Sequence, residues 1–318
     1  MAQLDKLTAG KAGRNMLDVM IIGAGPAGLS AAVYAQRAAL DARILEQGMA
    51  GGQLAAALDV DNYPGIASVS GAELARRMQQ HAEALGSRLQ AAQVIALHAY
   101  AAHWEAVCAD GQTVCARAVI AATGTTRRKL AVAGEKQYTG HGVSYCATCD
   151  GFFFKGKTVA VIGGGDAAVD DALYLSGLAA RVYLVHRRDA LRAGKRRQQE
   201  LMRKNNIVFL WDSVVAEICG DGTQVTALQL KRRDGTEHRL QTDGVFVAIG
   251  AQPNAAYLPT EVLRDAVGYV LAGEDGRTNL AGLFVSGDVR AKLQRQAVTA
   301  AADGAYAVDA VERYLREM

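Results

Sequence analysis

The residues best suited to chemistry are two cysteines three apart, in Tyr145-Cys146-Ala147-Thr148-Cys149-Asp150. A lone CxxC pair favours redox chemistry, because a thiolate can attack a disulfide sulfur and be resolved by its neighbour. Zinc would need about four ligands, and no second CxxC exists; a purely structural pair is the other alternative. Asp150 follows directly, and a carboxyl beside a dithiol can supply or remove the proton that exchange requires. The other cysteines, Cys108, Cys115 and Cys219, lie in or beside apolar strand patterns, where packing is the usual role.

Two glycine loops are the next candidates. Gly23-Ala24-Gly25-Pro26-Ala27-Gly28 is a GxGxxG between an apolar run and an alanine-rich segment. Glycines there permit a tight turn, close approach of a pyrophosphate and close helix packing, and the helix N-terminus offers N–H groups to the anion. Glu46 ends the following apolar run, at the distance where an acid accepts from a ribose hydroxyl. Gly163-Gly164-Gly165-Asp166-Ala167-Ala168 repeats the logic as GxGxxA, but His186-Arg187-Arg188 follows its second run, with Arg192 close behind. Arginine forks bind a 2′-phosphate that an acid would repel, so this site should prefer NADPH over NADH. The remaining cations, Lys195, Arg196, Arg197, Arg203 and Lys204, read as a solvated face.

The elements that must position these groups follow from the pattern. Leu17–Ile22 reads as a buried parallel strand, residues 27–39 as a helix and Ala42–Glu46 as the next strand, a βαβ unit. A helix is expected over 71–85, short strands over 93–120, and a second βαβ unit over Thr158–Ile162, about 167–176 and Arg181–Val185. Short strands follow between 207 and 249, then a strand at Leu283–Ser286 and a helix over 296–315. The expectation is an α/β protein with two Rossmann-like dinucleotide-binding units, one nested inside the other. A length of 318 residues suits two domains of ~100–200 residues each.

Composition narrows the class further. Net charge is +3, which argues against a dedicated nucleic-acid binder. Five cysteines without a spaced framework point to a reducing compartment, and the expected setting is the cytoplasm. Residues 1–16 are mixed polar without the apolar run of a secretory signal, and are expected to form a loosely held tail. The most apolar stretch, Val19 to Ala35, is interrupted by Gly23, Gly25, Pro26 and Gly28. A membrane span needs ~20 apolar residues, so strand, loop and helix is the better reading.

Cys146-Ala147-Thr148-Cys149-Asp150-Gly151-Phe152 is similar to the active-site signature of low-molecular-weight thioredoxin reductases, and lies just before the second nucleotide loop as in that family. Supporting segments are Gly51-Gly52-Gln53-Leu54, Asn62 to Gly65, Ala122-Thr123-Gly124 and His186 to Asp189. Ile249-Gly250 to Pro253, Gly287-Asp288-Val289 and Arg295-Gln296-Ala297 also agree, so the resemblance runs from about 17 to 315. It implies FAD in the first site, NADPH in the second, and an NADPH domain inserted into a discontinuous FAD domain. The implied boundaries are 17–128 and 256–318 for FAD and 129–255 for NADPH. It implies that Cys149 faces the flavin, that Cys146 exchanges with thioredoxin, and that Asp150 is the acid/base group. It implies that Asp288 holds the ribityl chain, and that Arg295 to Ala297 begin a helix aimed at the isoalloxazine. A homodimer is implied too, with a domain rotation about crossovers near 125–134 and 250–257. Departures from the family pattern stand at Ala55 to Leu58, where threonines are common, at Ala133 for proline, at His141 for a basic residue and at Gln294 for an aromatic.

Two other functions share these motifs. One is a related flavin–dithiol enzyme that is ferredoxin-fed, peroxiredoxin-linked or a dithiol oxidase. The other is a non-enzymatic redox sensor.

Overall fold

In a computed structural model the described residues are 16–57 and 59–318. The tail expected over 1–16 (apart from Met16) and Leu58 lie outside them. The chain divides into two compact units, one made of residues up to Thr126 together with Gln252–Met318, the other of Arg127–Ala251.

The first unit begins with β1 (Leu17–Ile22), whose side chains are almost all buried, as a strand covered on both faces requires. The turn at Gly23 leads into α1 (Pro26–Arg37), with Pro26 at a position that needs no N–H. It ends two residues before the expected 39, because Ala39 adopts a left-handed φ of 55°. After β2 (Ala42–Glu46) comes α2 (Gly71–Ala84), where Ser70 accepts the Glu73 N–H as N-cap. The chain continues through β3 (Arg88–Ala91), β4 (Val94–Ala99), β5 (Trp104–Cys108) and β6 (Thr113–Ala121). Strand order is β3-β2-β1-β6-β5-β4, with β1, β2, β3 and β6 parallel and β4 and β5 antiparallel. β7 (Thr125–Arg127) carries the chain across to the second unit.

That unit opens with β8 (Val143–Ser144) and one turn of helix, α3 (Ala147–Asp150). Its βαβ repeat is β9 (Thr158–Ile162), α4 (Asp166–Ser176) and β10 (Arg181–Val185). The basic run forms a short helix, α5 (Lys195–Met202), exposed over most of its length. β11 (Ile207–Leu210), β12 (Ser213–Gly220), β13 (Val225–Arg232), β14 (Glu237–Gln241) and β15 (Gly244–Val247) complete it. The parallel sheet has the order β11-β10-β9-β15-β8, while β12-β13-β14 is a separate antiparallel sheet. One apolar cluster joins the parallel sheet to α4 (Val159, Val169, Leu184, Phe246), and another joins it to the antiparallel sheet (Ile162, Val185, Ile218, Leu228).

The chain returns through β16 (Ala251–Pro253), which pairs with β7, to β17 (Leu283–Val285) beside β6 and to α6 (Ala297–Glu317). α6 packs on α1 through Ala27, Ala31, Ala300 and Ala307, close enough that a Cβ at Gly304 would meet the Ala27 carbonyl oxygen at 2.2 Å. Both units are Rossmann-like, the second inserted into the first.

Candidate active site

Cys146 and Cys149 are joined as a disulfide with Cα atoms 5.3 Å apart, and both are half-buried. Cys146 is the N-cap of α3, and its carbonyl accepts the N–H groups of Cys149 and Asp150, which coils the CxxC into a single turn. The Ser144 hydroxyl donates to Asp150 Oδ2 over 2.5 Å and accepts the Cys146 N–H over 3.0 Å. Thr148 Oγ1 lies 3.5 Å from Cys146 Sγ.

A buried carboxylate anchors the approach to this turn. Glu135 is 3% exposed and accepts from the Leu130 and Ala131 N–H groups at 2.8 and 2.7 Å and from the Tyr145 hydroxyl at 2.9 Å. Burial, reinforced by the bond to Glu135, pushes the Tyr145 phenol up to about 12. Sequence reasoning missed Ser144 and Glu135, since neither falls in a motif that carries chemistry by itself.

The other three cysteines stand apart from this pair. Cys108 is buried, and Cys115 and Cys219 are half-buried. Burial pushes the thiols of Cys108 and Cys115 up, which keeps them protonated and suits packing.

In the first unit the residues of the glycine loop, the strand ends and the start of α6 converge at the carboxyl edge of the parallel strands. Gly23 has φ 107°, and a Cβ there would meet the Ala122 carbonyl oxygen at 2.5 Å. Gly25 faces open space. Glu46 Oε2 accepts the Ala24 N–H over 2.6 Å and Oε1 the Gly48 N–H over 2.9 Å, so the carboxylate is oriented before any ligand arrives. The Gly51 N–H bonds the Ala24 carbonyl, drawing Gly52, Gln53 and Leu54 towards the loop; a Cβ at Gly52 would stand 3.4 Å from the Gly25 Cα. Gln53 donates to the carbonyl and hydroxyl of Thr125, and Thr123 donates to the Asn254 carbonyl. Gly124 accepts the Asn254 N–H, which closes the turn after β6.

Gly287 and Asp288 open a short helical turn after β17, where a Cβ at Gly287 would be 2.8 Å from the Ala27 Cβ. A buried ionic cluster supports that turn. Asp303 accepts from the Gly287 N–H at 3.0 Å, Arg290 Nη2 at 2.8 Å and Lys292 Nζ at 3.0 Å, and Lys292 also reaches Asp288 at 3.6 Å. α6 starts at Ala297 with Gln296 as N-cap, so Arg295 stands just outside it, its guanidinium 4.0 Å from the Tyr269 ring centre. Asn62 donates to Gln296 Oε1 over 3.3 Å, joining two predicted site residues far apart in the chain.

An open glycine turn at a helix N-terminus, an oriented carboxylate and two further glycine approaches fit the adenine-dinucleotide half of a flavin.

In the second unit Gly163 has φ 151°, with the Ala248 carbonyl oxygen 2.4 Å from where its Cβ would be. A Cβ on Gly164 would run into the His186 ring, whose nearest atom is 2.3 Å away. Ala168 is fully buried, while Asp166 and Ala167 are exposed. Asp166 accepts the Gly194 N–H and Gly164 accepts the Arg192 N–H, which folds the Arg192 segment over the loop. Ile249 and Gly250 follow β15, and Gly250 accepts the Arg128 N–H.

His186 is 5% exposed and its Nε2 has no hydrogen-bond partner. Burial first, then Arg192 and Arg188, hold its pKa below the ordinary value, so the ring is neutral near pH 7. Arg187 and Arg188 are exposed and line an open cavity of about 610 Å³ with Lys231, Arg232 and Arg233, and with the carboxylates of Asp189 and Asp212. This cationic strand end, beside a loop that admits close backbone approach, fits a nucleotide with an added phosphate.

Of the departures from the family pattern, Ala55 and Ala56 lie in the short helical turn Gly52–Ala56, Ala133 accepts the Ile218 N–H, and His141 and Gln294 are exposed. Among the described residues no helix is long and apolar enough to cross a membrane.

Comparison with known proteins agrees with this architecture. Residues 17–304 match the family model for the pyridine nucleotide-disulphide oxidoreductases. The thioredoxin reductase of Listeria monocytogenes is 43% identical over 302 residues, 95% of this chain and 94% of the relative. That of Bacillus subtilis is 41% identical over 302 residues, 95% of each. The crystal structure of thioredoxin reductase from Streptococcus pyogenes has a TM-score of 0.92 at 39% identity, covering 96% of this chain and all of that one. Thioredoxin reductase from Giardia duodenalis has a TM-score of 0.91 at 36% identity, covering 95% of this chain and all of that one. With a Cys146–Cys149 disulfide beside one of two nested dinucleotide folds, this chain belongs to the pyridine nucleotide-disulphide oxidoreductases, among the low-molecular-weight thioredoxin reductases.

Proposed function

We propose that the chain passes electrons from NADPH through FAD to the Cys146–Cys149 disulfide and from there to the disulfide of thioredoxin. The observation that carries this reading is the Cys146–Cys149 disulfide in the same unit as a dinucleotide loop whose second strand ends in cations. Bound FAD supplies a hydride acceptor that can hand electrons on to a disulfide.

In the first unit Gly23, Gly25, Pro26, Ala27 and Gly28 receive the pyrophosphate of FAD at the N-terminus of α1, and Glu46 accepts from the adenosine ribose. Gly52, Gln53, Leu54, Asn62, Ala122, Thr123 and Gly124 line the rest of the site. Gly287 and Asp288 would hold the ribityl chain, and Arg295, Gln296 and Ala297 would offer N–H groups to the ring. In the second unit Gly163, Gly165, Asp166, Ala167 and Ala168 receive the pyrophosphate of NADPH. Arg187, Arg188 and Arg192 bind its 2′-phosphate beside neutral His186, and Ile249 and Gly250 close the nicotinamide end.

With flavin bound, Cys149 would be the cysteine that takes electrons from it, Cys146 would attack the thioredoxin disulfide, and Asp150 would move the protons. Rotation of one unit against the other about the segments near 125–134 and 250–257 lets the dithiol serve the flavin and thioredoxin in turn. The active form is a cytoplasmic homodimer.

Stopped-flow absorbance tests the donor: NADPH should bleach the flavin far faster than NADH. Thioredoxin-coupled turnover tests the acceptor, and Cys146→Ser and Cys149→Ser should each abolish it. Equal bleaching by the two nucleotides would reject the arginine assignment, and persistence of turnover in both serine variants would reject the dithiol.

A further inference from the structure

Ser144 ends β8 and is 5% exposed. Its hydroxyl stands between the two ends of the Cys146–Asp150 segment, 2.5 Å from Asp150 Oδ2, 3.0 Å from the Cys146 nitrogen and 3.3 Å from the Cys146 carbonyl oxygen. The shortest of these lies in the range of a charge-assisted O–H···O⁻ bond. A hydroxyl has one proton to give. With Asp150 ionised, that proton points at the carboxylate. With Asp150 protonated, the hydroxyl accepts from the carboxyl and turns its own proton to the Cys146 carbonyl, over the longer distance. The geometry therefore favours the carboxylate.

We propose that Ser144 is a positioning residue for thiol–disulfide exchange: it fixes the Asp150 carboxyl against the Cys146 backbone and stabilises the carboxylate each time Asp150 gives up a proton. The proposal rests on the roles given above to Cys146, Cys149 and Asp150.

The exchange balances as follows. Asp150 takes the proton of the Cys146 thiol, and the thiolate attacks one sulfur of the target disulfide. One S–S bond breaks, a mixed S–S bond forms, and the departing target thiolate takes the proton back from Asp150. Asp150 then takes the Cys149 proton, Cys149 attacks the Cys146 sulfur, and the second departing thiolate is protonated in turn. The enzyme dithiol has become a disulfide and the target disulfide a dithiol. Asp150 is a carboxylate before the first proton transfer, between the two exchanges and after the second, and Ser144 donates to it in each of these states.

α3 packs chiefly on the turn Gly151–Phe154 and on α4, and Ala147 joins the apolar cluster of the parallel sheet, which brings no titratable side chain. The titratable groups of α4 are Asp166, Asp170, Asp171 and Tyr174, and the Tyr174 ring comes within 3.0 Å of a Cβ placed on Gly151. An Asp150→Asn background separates their titration from that of Asp150.

The test measures NADPH-driven thioredoxin reduction against pH in the wild type, Ser144→Ala, Ser144→Thr and Ser144→Val, each with and without Asp150→Asn. Alkylation of the dithiothreitol-reduced dithiol by iodoacetamide is followed over the same range. Ser144→Ala should slow exchange about tenfold or more. It should also move the acidic limb of both profiles to higher pH, because a hydrogen bond donated to the charged form is what holds a carboxyl's pKa down. Ser144→Thr should restore rate and limb, and the alanine effect should vanish in Asp150→Asn. Should alanine fail to fold, the threonine and valine variants, alike in shape and differing by the hydroxyl, carry the comparison. An unchanged limb, an equal loss in Asp150→Asn, or valine behaving like threonine would overturn the proposal. If the wild type does not reduce thioredoxin, the functional reading fails while the alkylation profiles still decide the role of Ser144.

Discussion

At the third position of its two glycine loops the chain places Gly28 in the first unit and Ala168 in the second. A Cβ on Gly28 would fall 1.8 Å from the Gly23 carbonyl oxygen, whereas the Ala168 methyl is fully buried with 2.8 Å to the place a Cβ on Gly163 would take. The first helix is drawn tightly onto its turn, and the second stands one methyl away. The ends of the second strands differ as well. Glu46 is held by two backbone N–H groups, while beyond β10 come a neutral His186 and two exposed arginines. The same βαβ frame is thus closed by opposite charge. What distinguishes the two sites is a handful of side chains at the strand ends.

The largest effect should come from exchanging the third position. Gly28→Ala has no room without moving backbone, and should cost about 3 kcal/mol or more with loss of retained flavin. Ala168→Gly removes one buried methyl at a helix start and should cost about 1–2 kcal/mol. Chemical denaturation of the two variants, with flavin absorbance as a second readout, checks both. Equal costs would mean that the two loops are not packed differently.

Next in size is the charge at the strand end. Replacing Arg187 and Arg188 by alanine should raise the KM for NADPH about ten- to a hundredfold, the loss expected for charge-assisted bonds to a phosphate. The KM for NADH should hardly change. An equal rise for both nucleotides would assign these arginines to something other than a 2′-phosphate.

A buried ion cluster beside the first unit's site comes third. Asp303→Asn removes the one carboxylate that Arg290 and Lys292 share, with all three side chains largely buried. Breaking such a pair leaves uncompensated charge and costs about 3 kcal/mol at most here, since Asp288 still faces Lys292. The functional effect should be modest: weaker flavin retention, because the Gly287 turn loses its acceptor, with NADPH affinity untouched. Equilibrium dialysis of flavin against the wild type measures it.

Much of this comparison was legible in the sequence, for a physical reason. β1, β2, β9 and β10 are largely buried on both faces, so each is mostly apolar, and glycine marks the turns after β1 and β9. The first loop, Glu46, the second loop and the arginines could therefore be named in advance. Less periodic elements escaped. β3 is half-exposed, β7 and β16 have three residues each, and α5 is hidden in a run of charges. Ser144, Glu135 and Asp303 escaped for another reason. Their meaning lies in partners such as Asp150, Tyr145 and Arg290, and nothing in the type or spacing of a serine or an acid announces such a partner.

The smallest effect tests the neutral ring that ends the second unit's strand. His186 lies against Gly164 in place of the side chain a residue there would have, and burial and neighbouring arginines depress its pKa. The folded protein therefore binds that proton less readily than the unfolded chain, whose histidine titrates near 6.5. Its contribution to stability is complete above that pH and declines as pH falls below it, because protonation then favours the unfolded state. His186→Phe keeps a ring over Gly164 and removes the titration. Thermal unfolding of the two proteins between neutral and mildly acidic pH should show the wild type losing more stability than the variant. Parallel slopes would mean that the ring is solvated enough to accept its proton in place, and that the second site, like the first, closes on a group free to carry charge.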